Sequence, residues 1–185
     1  MDFQKLLVSV AKILNKHGIP YAVTGGYAVS IWGRPRATFD IDIVIELFQQ
    51  QISELADALR SVAKVSYVDE NMMLEAIRRR GEFNFIHGDS GMKVDFWMRK
   101  GDPFSRMEFQ RRVPVKIEGV KVYFVSPEDL ILSKLRWYQI TPSSRQLEDV
   151  ESVFKISGKQ LDRTYLASWA KKLKVFSLLS PFLKK

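Results

Sequence analysis

Apolar side chains recur along much of the chain at the spacing of an amphipathic helix. In residues 3–14 they return every three or four positions, and Gly18 follows where a left-handed helix cap is expected. The same spacing returns in residues 52–62 and, over three segments, in residues 128–173. A further short helix is predicted in YAVSIW, directly after Gly25 and Gly26.

Other segments alternate between apolar and polar side chains or contain short runs of β-branched residues, which is typical of strands. These segments are IPYAVT, TFDIDIVIE, KVSYV, EFNFIH, MKVDFWM, VPVKI and VKVYFV. The turn residues GDSG and EG predict that the last four pair as two hairpins, with a helix near residues 104–111 between them. The pattern therefore predicts an α+β fold.

A strong helix start at Ser126 predicts where the sheet-forming part of the chain ends. The Ser126 hydroxyl can cap the helix, Pro127 suits its first turn, and Glu128 and Asp129 lie at the positive end of its dipole. We therefore predict a sheet-containing core at residues 1–125 and a helical C-terminal region at residues 126–185. We expect the second region to pack on the first.

Composition narrows the chemistry that the chain can perform. It has no cysteine, which excludes disulfides and thiolate metal sites and leaves oxygen ligands for a metal. Residues 1–18 favour an amphipathic helix over a secretion signal, and no run is long enough to span a bilayer, so we expect a cytoplasmic protein without a membrane partner. The formal net charge of +8 favours polyanionic partners, although solubilising charge alone would also explain it.

Two carboxylates lie one residue apart in the apolar segment TFDIDIVIE. In a strand, Asp40 and Asp42 share one face, while Phe39, Ile41 and Ile43 take the other face towards the core. Two like charges so close repel each other unless a cation compensates them, and Mg²⁺ accepts carboxylate oxygens in this role. A solvated, inert pair at a sheet edge is the alternative for this motif alone.

A third carboxylate, Asp95, shares the arrangement of the first two. It lies in MKVDFWM on the same face as Lys93 and Trp97. If this strand lies beside the strand of Asp40 and Asp42, the three carboxylates converge, which is the minimum for a phosphoryl-transfer site with two Mg²⁺ ions. We therefore predict Asp40, Asp42 and Asp95 as metal ligands and catalytic residues.

Gly25 and Gly26 lie between a predicted strand and a predicted helix, where the backbone can approach a phosphate closely. A tight turn is the alternative. Residues 27–39 place thirteen positions between Gly26 and Asp40, and Gly-Gly followed at this distance by Asp-x-Asp resembles the signature of the DNA-polymerase-β-like nucleotidyltransferase superfamily. Asp95 matches the third carboxylate of that superfamily.

The segment GGYAVSIWGRPRATFDIDIVI is most similar to the AbiEii-type toxin branch, in which Arg-x-Thr precedes Asp-x-Asp. SPEDLILSKLRWY and SRQLEDVESVF also resemble this branch, and the resemblance covers most of residues 20–156. It implies that nucleotide and phosphate contacts come from Gly25, Gly26, Arg36, Thr38 and Lys134. Arg145 and Asp149 would support these contacts, unless they pair with each other one helical turn apart.

The resemblance implies a mixed sheet flanked by helices, with a nucleoside triphosphate bound between the sheet domain and the C-terminal helices. It implies transfer of a nucleoside monophosphate to an acceptor hydroxyl of RNA or protein, and it suggests a toxin with an antitoxin partner. Two other functions stay open. Antibiotic nucleotidyltransferases share a similar glycine and aspartate segment, and a non-catalytic nucleotide- or RNA-binding protein would also fit the basic charge.

Two clusters of arginine residues are candidates for an RNA-binding surface. They are residues 78–80 and the pair Arg111 and Arg112, and Phe83 and Phe85 lie near the first cluster. Plain exposure of the arginines and burial of the phenylalanines in the core are the alternatives.

Overall fold

In a computed structural model that describes residues 2–183, seven strands form one mixed sheet. The strands are β1 (Tyr21–Thr24), β2 (Asp40–Ile45), β3 (Ser66–Tyr67), β4 (Glu82–His87), β5 (Met92–Met98), β6 (Val113–Ile117) and β7 (Val120–Phe124). Their order across the sheet is β3-β4-β5-β2-β1-β7-β6. The pairs β2/β5 and β1/β7 are parallel, and the other neighbours are antiparallel. The strand of Asp40 and Asp42 is therefore central.

Nine α-helices are formed within the same residues 2–183. They are α1 (Phe3–Lys16), α2 (Gly25–Trp32), α3 (Ile52–Arg60), α4 (Glu70–Arg79), α5 (Pro103–Gln110), α6 (Pro127–Ile140), α7 (Ser144–Ser157), α8 (Arg163–Lys172) and α9 (Phe176–Leu183). Each of these helices is too short or too polar to cross a lipid bilayer. With a mixed sheet flanked by helices, the predicted α+β fold class is confirmed.

The chain divides into two units. The first contains the residues up to Tyr27 and Thr38–Phe124, and the second contains Ala28–Ala37 together with the residues from Val125 onward. The first unit holds the whole sheet with α1, α3, α4 and α5, and the second holds α6 to α9. The helix α2 begins in the first unit and ends in the second.

The local signals in the sequence explain most of these elements. Asp2 caps α1 by accepting a hydrogen bond of 2.8 Å from the Lys5 N–H, and Gly18 takes the left-handed conformation after the helix with φ of 60°. The Ser126 hydroxyl caps α6 by accepting the Asp129 N–H at 3.1 Å. Both predicted hairpins, β4 with β5 and β6 with β7, are present.

Three details differ from the sequence-based expectation. The helix α9 (Phe176–Leu183) lies beyond residue 173, where the last predicted helix ends. The helix α2 begins at Gly25, so both glycines lie in its first turn instead of before it. Phe39 was expected to face the core with Ile41 and Ile43, but its side chain is 81% exposed. The expectation was wrong because β2 begins only at Asp40, and a residue that precedes the hydrogen-bonded strand is not held to either face of the sheet.

Candidate active site

A row of polar side chains crosses four neighbouring strands on one face of the central sheet. Asp42 of β2 lies directly opposite Asp95 of the parallel strand β5 and opposite Thr24 of β1. Asp95 in turn lies opposite Asn84 of β4. Paired residues of neighbouring strands point to the same face, and Asp40, two residues before Asp42, joins them there. The structure therefore places Asp40, Asp42 and Asp95 on one face of two adjacent strands.

The burial of these strands explains how the carboxylates are accommodated among apolar residues. The side chains of β2 alternate between half-buried and buried, with Asp40 and Asp42 half-buried and Ile41 and Ile43 fully enclosed. Asp95 is 9% exposed. The acids thus occupy the polar face of a strand whose other face is core, and they need polar partners there because an unpaired buried charge is costly.

Two neutral side chains orient the carboxylates of β2. The Thr38 hydroxyl donates to Asp40 Oδ1 at 3.0 Å, and the Trp97 indole N–H donates to Asp42 Oδ1 at 3.2 Å. Each of these hydrogen bonds limits the rotation of an aspartate that the sequence predicts as a metal ligand. The predicted site residue Thr38 therefore contacts Asp40 directly, and Trp97 lies in the same site.

A lysine ammonium lies among the three acids. Lys93 Nζ is 2.8 Å from Asp95 Oδ2, and Lys93 lies opposite Asp40 in the pairing of β2 with β5. The hydrogen bond that Lys93 donates to Asp95 and, less strongly, the charges of Asp95, Asp40 and Asp42 raise the pKa of Lys93 above its ordinary value, although burial opposes the shift. Lys93 is therefore a cation bound to one carboxylate of an acidic site.

The three carboxylates can be compared with the ligands that a divalent ion needs. Its oxygen ligands are those that Mg²⁺ prefers, and Asp42 and Asp95 face each other across neighbouring strands. Within residues 2–183, however, no three histidine, cysteine, aspartate or glutamate side chains are gathered as they stand for a metal ion. The residues thus fit Mg²⁺ by chemistry and register, while Lys93 holds one of the three carboxylates.

Gly25 lies where α2 approaches the carboxylate of Asp42. Its φ is 63°, a conformation that residues with a side chain rarely adopt, and a Cβ atom at this position would lie 1.9 Å from Asp42 Oδ2. Gly26 follows in the first turn of α2, the positive end of the helix dipole, which attracts anions such as phosphate. Gly25 thus allows a helix N-terminus to lie against the carboxylate row.

Replacing Gly25 with alanine should therefore destabilise the protein by more than the strain of a left-handed backbone alone would do. We expect Gly25→Ala to lower the free energy of unfolding by about 2 kcal/mol, because the new Cβ combines left-handed strain with a clash against Asp42. The measurement is urea denaturation of both proteins. Gly18→Ala is the matched control, since Gly18 has φ of 60° but open space around it. This control should lose about 1 kcal/mol, and equal losses in the two variants would refute the clash.

A second charged cluster lies within the second unit. Arg36 binds the Asp149 carboxylate with two hydrogen bonds, from Nε to Oδ1 at 2.7 Å and from Nη2 to Oδ2 at 2.9 Å. Lys134 Nζ lies 2.8 Å from the same Oδ2. The structure therefore places three predicted site residues, Arg36, Lys134 and Asp149, in one cluster.

The cluster is stable because its charges compensate one another. The Asp149 side chain is 3% exposed and that of Lys134 11%. Burial by itself would raise the pKa of Asp149, but the hydrogen bonds and charges of Arg36 and Lys134 together lower it below its ordinary value. Asp149 is thus paired with Arg36 and Lys134 and not with Arg145, the partner that the sequence left open. Arg145 is exposed in the first turn of α7.

Four residues of the site were not among those proposed from the sequence: Thr24, Asn84, Lys93 and Trp97. Strand alternation already predicts Lys93 and Trp97 on the face of Asp95, but it does not assign either of them a role in metal or phosphate binding. Thr24 and Asn84 become neighbours of the acids only through the register of β1 and β4. The GDSG turn of the predicted hairpin indicates the register of β4 with β5, whereas no local pattern in the sequence indicates the register of β1 with β2.

Comparison with protein families gives a match over nearly the whole chain. The family described as "Nucleotidyl transferase AbiEii toxin, Type IV TA system" matches residues 10–180. No curated protein sequence shows significant similarity to the chain. The family match spans both units and includes all the site residues described above.

Several solved structures share the fold. A nucleotidyltransferase-like protein from Paracoccidioides brasiliensis is 22% identical, with coverage of 98% of this chain and 91% of that one and a TM-score of 0.54. ANT(2")-Ia, solved in complex with adenylyl-2"-tobramycin, is 15% identical, with coverage of 98% and 97% and a TM-score of 0.58. The lincosamide antibiotic adenylyltransferase LnuA is 12% identical, with coverage of 82% and 96% and a TM-score of 0.56. At these identities the likeness establishes the fold.

Proposed function

The chain belongs to the AbiEii nucleotidyltransferase family, and from this premise we propose that it transfers a nucleoside monophosphate from a nucleoside triphosphate to a hydroxyl group of RNA or protein. The enzyme class follows from the family, whereas the metal, the acceptor and the biological role are our proposal. The observation that carries it is the in-register row of Asp42 and Asp95, with Asp40 on the same face.

In this proposal Asp40, Asp42 and Asp95 would hold Mg²⁺. When bound, the ion would lower the pKa of the attacking hydroxyl and compensate the charge that develops on the triphosphate. The new bond forms between the acceptor oxygen and the α-phosphorus, the bond from that phosphorus to the bridging oxygen breaks, and pyrophosphate leaves. The hydroxyl proton passes to a carboxylate of the row or to water.

The other site residues prepare the carboxylates and the phosphates for this reaction. Thr38 and Trp97 fix the orientations of Asp40 and Asp42 through the hydrogen bonds described above. Gly25 and Gly26 allow the N-terminus of α2 to receive phosphate oxygens. For Arg36 and Lys134 we propose contacts with nucleotide phosphate, with Asp149 holding both cations in place before the nucleotide arrives.

The net charge of the chain is the basis on which we propose its acceptor. The net charge of +8 favours polyanionic RNA, and a protein hydroxyl is the other macromolecular acceptor that we consider. Phe83 and Phe85 do not contribute an RNA-stacking surface, because their side chains are buried in the core. Aminoglycosides are cationic, which ranks a small-molecule acceptor of this kind below RNA and protein.

A labelling experiment tests the proposal. The protein is incubated with Mg²⁺ and each of the four labelled nucleoside triphosphates in turn, in the presence of total cellular RNA, total protein or an aminoglycoside mixture. We expect one nucleotide to label RNA or protein, and the Asp40→Asn/Asp42→Asn variant to give no label. Label only on the aminoglycosides would make this a small-molecule enzyme. Nucleotide binding without label on any acceptor would favour a non-catalytic binding protein.

A further inference from the structure

The position of Lys93 beside the acids indicates a role for it before the proposed reaction begins. Its Cα lies opposite Asp40, its own strand carries Asp95 two residues later on the same face, and its ammonium is 2.8 Å from Asp95 Oδ2. The Lys93 side chain is 41% exposed, so its flexible stem can turn towards water without crossing the core. Lys93 is therefore both bound to the acidic row and free to move away from it.

A positive charge at this position compensates the carboxylates when no metal is present. Three carboxylates on one face of two neighbouring strands repel one another, and a cation beside them weakens that repulsion. The hydroxyl of Thr38 and the indole of Trp97 bind two of these acids but bring no net charge. The ammonium of Lys93 supplies a positive charge, and the third acid, Asp95, binds this ammonium.

We propose that Lys93 is a tethered counter-ion that stabilises the metal-free carboxylate row and leaves Asp95 when a divalent ion binds. This inference rests on the proposed function, because it takes Asp40, Asp42 and Asp95 as the metal ligands. An ammonium and a divalent cation close to the same carboxylates repel each other, so both cannot occupy the row at full strength. Lys93 thereby weakens metal binding while it keeps the carboxylates in position for the metal.

Lys93→Met tests this role because it keeps the length of the side chain and removes the charge. We expect this variant to bind Mn²⁺ roughly tenfold more tightly than the wild-type protein in calorimetric titrations without nucleotide. We also expect a lower melting temperature in EDTA, since the positive charge of Lys93 no longer weakens the repulsion among the three acids. Lys116→Met is the matched control, because Lys116 is an exposed lysine on β6 of the same sheet and should behave as the wild type in both measurements.

A conservative variant separates charge from packing. Lys93→Arg keeps the positive charge, so its Mn²⁺ affinity and its melting temperature in EDTA should stay close to those of the wild type. Equal or weaker Mn²⁺ binding by Lys93→Met would overturn the inference, and so would Mn²⁺ binding by neither protein. If Lys93→Met cannot be purified as a folded protein, a wild-type-like Lys93→Arg supports the charge role, whereas an Arg variant that also fails overturns it.

The proposed function is decided by a different measurement, the labelling of RNA or protein by the wild-type enzyme. Tighter Mn²⁺ binding by Lys93→Met with no labelling by the wild type would leave the counter-ion standing and reject nucleotidyl transfer to these acceptors. Labelling by the wild type with unchanged metal affinity in Lys93→Met would support nucleotidyl transfer and reject the counter-ion role of Lys93.

Discussion

Replacing Asp42 with asparagine should lower the rate of nucleotide transfer roughly a thousandfold, because a carboxylate that binds the metal contributes several kcal/mol to transition-state stabilisation. Asparagine keeps an oxygen that can accept the hydrogen bond from Trp97, so the geometry of the strand is retained while the charge is lost. The measurement is the rate of nucleotide incorporation into the acceptor found by labelling. Thermal unfolding should show an equal or higher melting temperature, since one of three repelling charges is removed.

The control for Asp42→Asn is Glu82→Gln. Glu82 is an exposed carboxylate on β4, opposite Trp97 and on the same face, but outside the row. Its variant should keep the wild-type rate. An Asp42→Asn protein that retains more than a tenth of the wild-type rate would contradict the assignment of Asp42 as a metal ligand.

The same variant addresses the biological role that the family suggests. If the protein is a toxin through nucleotidyl transfer, inducing the wild-type protein should arrest the growth of a bacterial host, and inducing Asp42→Asn at equal abundance should not. Growth arrest by both proteins would show that toxicity does not depend on this site.

Asp149→Asn should destabilise the folded protein by about 3 kcal/mol, because it leaves the half-buried charge of Arg36 and the largely buried charge of Lys134 without their shared anion. Urea denaturation at neutral pH measures the change. Glu148→Gln is the matched control, since Glu148 is the preceding residue of α7 and its carboxylate is exposed. A loss no larger than that of the control would show that the cluster contributes little to stability.

The pH dependence of stability gives a second test of the same pair of contacts. The pKa of Asp149 lies below its ordinary value of 3.8, so its contribution to stability is complete above that pH and is lost as the pH falls through the lower, folded-state pKa. The wild-type protein should therefore lose stability in this acidic range. The Asp149→Asn variant lacks this contribution already at neutral pH. Its free energy of unfolding should therefore fall less than that of the wild type over the same acidic range.

Much of the fold could be predicted because its elements depend on neighbouring residues. The period of two in TFDIDIVIE fixes Asp40 and Asp42 on one face, and the cap at Ser126 fixes the start of α6. The hairpins follow from turn residues between alternating segments. The position of Phe39 could not be predicted in this way, because the residue at which a strand begins depends on where hydrogen bonding to its neighbours begins.

Residue types available for the chemistry, and the face that each takes within one strand, follow from the amino-acid order, since both depend only on residues a few positions apart. The neighbours of these residues on other strands and helices follow from the packing of the fold. Only the register of β2 with β5 places Asp42 opposite Asp95 and Lys93 opposite Asp40. Only the association of residues 28–37 with the C-terminal helices joins Arg36 to Asp149, 113 positions away. Contacts over such distances depend on how whole elements pack together, and local periodicity carries no information about that packing.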